Sequence, residues 1–527
     1  MKKSLLFSLF LLVFGTFAFA DSYQIVKTEY YCHGITRPSV LRTTVPVDYK
    51  KIFQDEDELV KYLEDFKQRL DNVRCFEKFD YDYEVSLPDE NNLCFVTVFV
   101  TTYDAKHILG LPYPKFSPKG DNGYLFNFKL KFKDTNFFGS LKEMGADLNL
   151  ELDTNDDPVS FKLGGTVFFD TPFNIGNVKF NWSNSHNLSY KIGSESPEWN
   201  LKTGIECEYP FDIFSVKFTF YQSFIRNLDY KNKLVSGHTI VDDSTYFVED
   251  LKVATPIVIQ DIPNWGKIYY TPSLAFKYNW DFDGIDVYNT DLIGPTITIA
   301  QEVSTSRVNY INNFRNGFDI SMTQSFVYNM GLPEEKNIIP GIDIIFKAYK
   351  AFKYVGFSTY FEAFAYLNGT AKFGDKLRGI RDEQYFAVVN EQTELASTYA
   401  CESPAALIFN FDLPIHICSI YWDQIPGIKK IPHISILNFE LQINPFVDIA
   451  LCHNAVTQST FHYKDGFYSA GLEALVFPLK WKGFVVRASV GLDLGRKLPW
   501  FKDKLNQEWR SSSVSATEIS IGLGYQY

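Results

Sequence analysis

The chain of 527 residues carries 51 basic against 63 acidic side chains, a formal charge of −12, which argues against nucleic-acid binding. Aromatic residues make up 17% of it, yet mean hydropathy is slightly negative, and past residue 20 no apolar run approaches the roughly 18 residues of a membrane helix. Its seven cysteines are scattered, with no CxxC or Cys/His cluster, so no metal site is expected. Cys75 and Cys94 are either a pair or, on the plainer reading, buried free thiols.

Residues 1–20, MKKSLLFSLFLLVFGTFAFA, combine Lys2 and Lys3 with an apolar run and an Ala18-Phe19-Ala20 end. That is the pattern of a cleaved secretory signal peptide. Export, many aromatics and modest hydropathy together point to a transmembrane β-barrel. A soluble β-sandwich or propeller is the alternative.

Residues 21–104 read as a separate α+β unit. YQIVKTEYYC is strand-like, and Pro38 suits the first turn of a short helix. In FQDEDELVKYLEDFKQRLDNV, Leu59, Tyr62, Leu63, Phe66 and Leu70 form one helical stripe, with Asp55 to Glu58 in its first turn. CFEKFDYDYEVSL and NLCFVTVFVTTYD are two strands joined by PDENN. This β-α-α-β-β order, with HGITRPSVLR after the first strand and CFVTVFV as the last, resembles a POTRA domain. Residues 105–121 carry Pro and Gly and read as a linker.

From residue 122 onward the period is two. Phe126, Phe128, Leu130 and Phe132 alternate with Asn127, Lys129, Lys131 and Lys133. Aromatics outward and lysines inward fit a barrel with lipid outside and water inside. Residues 122–527 give room for 16 antiparallel strands of about 9–11 residues plus connections. Five fall after residue 400, near 403–416, 436–450, 467–480, 483–496 and 515–527. The connection Ile417 to His433 is long for a turn. The end of the chain, Ser520-x-Gly522-x-x-Tyr525-x-Tyr527, resembles the signal on the last strand of outer-membrane barrels.

DKLRGIRDEQ, Asp375 to Gln384, interrupts the strands. On the strand at 436–450 the apolar residues share one face, so Glu440, Phe446 and Asp448 point inward. Asn410 and Asp412 point inward by the same test. A carboxylate inside a barrel needs a cation and hydrogen bonds, and Arg378 can supply a planar, two-pronged partner. A solvated loop arginine is the alternative; the inward Asp448 favours the pair. Arg381 and Asp382 read as surface charges.

A loop with Leu377-Arg378-Gly379-Ile380, five strands after it, and Phe446-x-Asp448 on the second of them resembles the BamA/TamA superfamily, which includes the two-partner secretion pores. Asn136-Phe137-Phe138-Gly139 resembles that family's first-turn motif. Ile380 and Ala450 depart from it, standing where the family has an aromatic and a glycine. The resemblance implies a lumenal lock between Arg378, with Gly379, and Asp448, with Phe446, and secondary lumenal carboxylates at Asp412 and Glu440. It implies an outer-membrane protein of a diderm bacterium, its POTRA in the periplasm, that inserts or translocates polypeptides. Unfolded or secreted clients would add a strand to the POTRA edge or to the seam between the first strand (122–133) and the last (515–527). Membrane lipids, periplasmic chaperones and accessory subunits are the other partners it implies, with no cofactor. A single POTRA argues for a specialised member. A passive porin and an adhesin with acidic loops near 228–245 and 281–293 remain as alternatives. No G-x-S-x-G, H-E-x-x-H or P-loop is present, so no enzyme is expected.

Overall fold

The computed structural model describes residues 22–119, 123–154, 159–194, 196–228, 233–235, 239–241, 244–262, 265–281, 294–380, 386–389, 396–399, 401–510 and 516–524. The expected leader, the pair Arg381 and Asp382, and Tyr525 and Tyr527 lie outside these. The chain divides into two units, Met1–Ala105 and Lys106–Tyr527.

The first unit runs β1 (Ser22–His33), a helix at Pro38–Thr44, β2 (Ile52–Phe53), a helix at Glu56–Asn72, β3 (Phe76–Val85) and β4 (Leu93–Asp104). The order read from the sequence is present, with the two-residue β2 added. The sheet order is β2-β1-β4-β3, with β1 parallel to β4. Pro38 does begin the first helix. The second helix starts where the Asp55 carboxylate accepts the Glu58 N–H at 2.7 Å. Its stripe of Leu59, Leu63, Phe66 and Leu70 is buried, and Tyr62 lies half-buried against Phe53. Cys75 and Cys94 are buried and form no disulfide, and neither do the other five cysteines.

The second unit is a closed antiparallel barrel. Its strands are β5 (Ile108–Lys119), β6 (Gly123–Asp134), β7 (Met144–Asp153), β8 (Ser160–Ile175), β9 (Val178–Lys191), β10 (Glu198–Pro210) and β11 (Ser215–Arg226). A small hairpin, β12 (Lys233–Val235) and β13 (Thr239–Val241), leads into β14 (Thr245–Ala254) and β15 (Ile257–Ile262). Then come β16 (Gly266–Trp280), β17 (Thr296–Ile311), β18 (Phe314–Asn329), β19 (Ile338–Ala351) and β20 (Gly356–Tyr366). Short strands β21 (Ala371–Lys372), β22 (Phe386–Val389), β23 (Ala396–Tyr399) and β24 (Glu402–Ser403) belong to the loop that follows. The wall resumes with β25 (Ala405–Asp412), β26 (Ile415–Ile420), β27 (Phe439–Cys452), β28 (Phe467–Pro478), β29 (Val486–Asp493) and β30 (Thr517–Leu523).

Two wall strands are each broken by a proline. β14 and β15 both pair with β16, and Pro256 lies between them. β25 and β26 both pair with β27, and Pro414 lies between them. A proline lacks the ladder N–H, so the strand is interrupted there, and pairing resumes in the same register beyond it. Counting each broken strand once, the described residues form eighteen staves rather than the sixteen expected. Five staves follow the loop, as read from the sequence; the excess lies before it. One reason is that two-residue turns pack more strands into the chain than the assumed spacing allowed. Ile311-Asn312-Asn313-Phe314 turns with φ of 49° and 62° at the two asparagines, the mirror-image geometry that matches strand twist.

The other reason is β5. Residues 108–119, expected within a linker, form the first stave, paired with β6 from Ile108↔Asp134 to Lys119↔Gly123. The seam with the last strand is therefore β5 against β30, not residues 122–133 against it. The long connection at the short-turn end spans residues 421–438 and holds three short 3₁₀ turns.

The wall is inverted relative to a water-soluble sheet. Along β27, Glu440, Gln442, Asn444, Phe446 and Asp448 are buried, while Val447, between two of them, is 42% exposed and Asp448 is 0% exposed. Leu130, Phe132, Ile299, Val303, Phe326, Phe346, Leu472 and Ile519 are likewise outward and exposed. A sandwich would bury those side chains between sheets. A closed wall with apolar outside and polar inside removes the soluble-sandwich alternative.

Candidate functional site

The connection between β20 and β25 turns into the barrel. Its neck is closed by β21 against β24, Ala371↔Ser403 and Lys372↔Glu402. One 3₁₀ turn, Gly374–Lys376, then presents Leu377, Arg378, Gly379 and Ile380, all buried. Phe373, Leu377 and Ile380 pack with Ile408, Ala450, Phe467 and Trp509. Ile380 and Ala450, which depart from the family pattern, thus meet in one apolar cluster.

Arg378 is 5% exposed and surrounded by inward side chains of three strands. Its Nε and Nη2 donate to the two oxygens of Asp448 at 2.9 and 2.6 Å, and its backbone N–H donates to Asp448 Oδ2 at 2.9 Å. Nη1 donates to Asp412 Oδ1 at 2.6 Å and lies 3.2 Å from Glu473 Oε2. The guanidinium carbon lies 3.8 Å from the centre of the Phe446 ring. A planar fork against a carboxylate, stacked on an aromatic face, is the use to which arginine and not lysine is suited.

The strand register explains the convergence. Asn410 lies opposite Asp448, Asp412 opposite Phe446, and Asn444 opposite Glu473. Asn444 Nδ2 donates to both Asp412 and Glu473, at 2.9 and 2.8 Å. Asn410 Nδ2 donates to the Lys376 carbonyl at 2.9 Å. Arg487 Nη1 sits 3.5 Å from the other oxygen of Glu473. A cavity of about 30 Å³ beside Arg378, Asp412, Asn444 and Glu473 has room for roughly one water.

Glycines make the approach possible. Gly379 has φ +84°, and a Cβ there would lie 2.5 Å from the Gly491 carbonyl carbon. A Cβ on Gly491 would lie 2.6 Å from Gly379 N, so loop and β29 meet backbone to backbone. Gly471, opposite Phe446, leaves the space that the ring fills, since a Cβ there would come within 2.5 Å of it. Gly379 N–H also donates to Glu518 Oε2 at 3.0 Å, which ties the loop to the last strand.

The residues singled out in the sequence separate as follows. Arg378, Gly379, Phe446, Asp448 and Asp412 come together. Glu440 does not join them. It accepts from Asn313 at 2.8 Å and Gln442 at 2.7 Å and lies 3.3 Å from His416, toward the short-turn end. Asn136 is fully buried and organises its own turn, accepting the Leu141 N–H at 2.9 Å, and Gly139 takes φ 68° there. Ser520 pairs with Ser489 at 2.7 Å, and Gly522 lies beneath Arg487.

Sequence reasoning missed Glu473 and Glu518, which the same alternation would have placed inward. It also missed a second clamp at the long-loop end. There Asp465 accepts from Trp509 Nε1 at 2.9 Å and Asn506 Nδ2 at 2.8 Å, and Arg510 donates to the Gly466 carbonyl at 2.6 Å. Burial pushes the Asp465 carboxyl up, but hydrogen bonds from Ser459, Asn506, Trp509 and Thr457 outweigh it and hold it below its ordinary value.

No protein-family model matches the chain, and no curated protein does. Among solved structures it is similar to CdiB from Acinetobacter baumannii, at 11% identity over 95% of this chain and 74% of that one, TM-score 0.44. CdiB from Escherichia coli matches at 9% identity, over 95% and 76%, TM-score 0.46. BamA from Haemophilus ducreyi lacking POTRA domains 1-3 matches at 11% identity, over 95% and 84%, TM-score 0.33. With TM-scores below 0.5, these likenesses carry no functional weight.

Proposed function

We propose that this chain is an outer-membrane β-barrel of the BamA/TamA type, which inserts or translocates polypeptides by strand addition and lateral opening. The observation that carries the reading is the loop held in the lumen by Arg378 on Asp448, Asp412 and Glu473. A lock of that kind immobilises a loop inside the barrel and, through Gly379 and Glu518, couples it to the strand that forms the seam. The first unit adds a second sheet edge. β3 pairs with β4 alone among the described residues, and its other edge offers N–H and C=O groups to an extended segment. In this reading that unit is a periplasmic POTRA module, the partners are membrane lipids, unfolded or secreted clients and periplasmic chaperones or accessory subunits, and the chain catalyses no reaction.

The test is the outer-membrane proteome after depletion of this protein. Several barrels falling together marks an assembly factor, and one lost secreted protein marks a dedicated exporter. No change refutes polypeptide handling. A passive channel is the second reading, favoured by the half-exposed inward Glu302, Asp319 and Lys347 on β17, β18 and β19. Steady conductance of small solutes by the purified protein, unaltered by polypeptides, supports it.

A further inference from the structure

The seam between β5 and β30 is asymmetric in its backbone chemistry. Thr135 N–H donates to the His107 carbonyl at 2.8 Å, which continues the β5–β6 register. Odd-numbered residues of β5 therefore bond toward β6, and even-numbered ones turn their N–H and C=O away, toward β30. Two contacts agree. Lys106 N–H donates to the Lys480 carbonyl at 2.9 Å, and the Ile108 carbonyl accepts Trp481 Nε1 at 2.8 Å.

The seam-facing residues of β5 are thus Ile108, Gly110, Pro112, Pro114, Phe116 and Pro118. All three prolines of the strand fall on that edge, so half of its donors are missing. On β30, Gly524 N–H donates to Val485 at 2.8 Å and Asp493 N–H donates to Ala516 at 3.0 Å, so even residues bond to β29. Its seam-facing residues are Thr517, Ile519, Ile521 and Leu523, none a proline. Prolines confined to one edge are the mark of an edge built to resist pairing. β30 keeps every donor and acceptor. At the short-turn end, the Lys480 and Trp481 bonds clasp β5 to the β28–β29 turn.

We infer that the seam edge of β30 is the surface that accepts an incoming extended polypeptide strand, and that β5 is the displaceable partner, released from the long-loop end while the clasp holds the other. This rests on the polypeptide-handling reading and names which edge performs it.

The test uses the full-length protein in lipid vesicles, with a photoreactive residue at Ile519 or at Gly110, where an added Cβ meets nothing closer than 3.9 Å. The probe is a synthetic peptide of residues 108–119 with its three prolines replaced by threonine. Adducts at Ile519 about tenfold above those at Gly110, falling when the prolines are restored in the peptide, are expected. Equal adducts, a preference for Gly110, or none at either position overturns the assignment. A second measurement needs no peptide. In the P112T/P114T/P118T protein, hydrogen exchange across residues 516–524 should slow several-fold, and an unchanged rate overturns the weak seam. Neither result depends on a cellular client, so failure of the polypeptide-handling reading shows separately, in the depletion experiment.

Discussion

Replacing Arg378 with alanine removes the cation that pairs with both Asp448 and Asp412. Glu473 keeps Arg487, at 3.5 Å. The side chains of Arg378, Asp448 and Glu473 are 5%, 0% and 3% exposed, so the carboxylates stay largely desolvated when the lost bonds go. Removing one partner of a buried ion pair typically costs about 3–5 kcal/mol, because the remaining charge stays desolvated. That is roughly a 10²–10⁴-fold change in the unfolding equilibrium. The assay is urea unfolding of the protein in lipid vesicles, followed by tryptophan fluorescence. Trp509 packs 5.2 Å from Phe467 in the same cluster and reports on it. Arg378→Lys should fall between, because an ammonium keeps the charge and loses the fork on Asp448. A double-mutant cycle sharpens the test. Arg378→Ala and Asp448→Asn should couple by more than about 1 kcal/mol, whereas Arg378→Ala and Glu440→Gln should add within about 0.5 kcal/mol. An Arg378→Ala protein within about 0.5 kcal/mol of the parent would refute the reasoning.

Gly491→Ala places a Cβ 2.6 Å from the Gly379 nitrogen, so the loop tip must move. Overpacking of this kind costs about 1–3 kcal/mol, and trypsin should cut more readily at Lys376 or Arg378; unchanged cleavage refutes the backbone contact. Trp509→Ala empties a fully buried site and should cost about 3–5 kcal/mol, read as a lower urea midpoint for the parent transition. Asp465 titrates lower folded than unfolded, so its contribution is fully present above the unfolded value, near pH 4, and is lost as pH falls through the folded value. The clamp between Asp465, Asn506 and Trp509 should therefore be indifferent to pH between 5 and 8 and loosen only below about pH 4, measured as hydrogen exchange in residues 494–510. Loosening between pH 5 and 7 would contradict the hydrogen-bond set described.

The lock was legible because strand side chains alternate. Once β27 is read with period two, Asp448 must point inward, and a buried carboxylate demands a partner. Glu473 was legible by the same rule and passed over. Period two gives Glu440 its inward face, but it assigns no height along the barrel, and so does not tell that Asp412 reaches Arg378 while Glu440 binds Asn313 and Gln442. β5 reads locally as a loop, because proline and glycine in ILGLPYPKFSP are the ordinary marks of one. What makes it a strand is its pairing with β6, which no local pattern announces. With β5 in the wall, the seam lies one stave before residues 123–134 and carries the three prolines.

Alternation along each strand carries the polarity of the wall, the two-unit organisation and the face on which Arg378 would find its acid, because these depend on residues one, two or four apart. The pairing of Gly379 with Gly491, of Gly379 with Glu518, and of Asp465 with Trp509 joins segments 44 to 139 residues apart. Such contacts depend on the closure of the barrel and the depth to which the loop descends. The number of staves, the identity of the seam and the height of each lumenal charge were decided there, where a hydrogen-bonded ladder leaves the choice of neighbour to the rest of the fold.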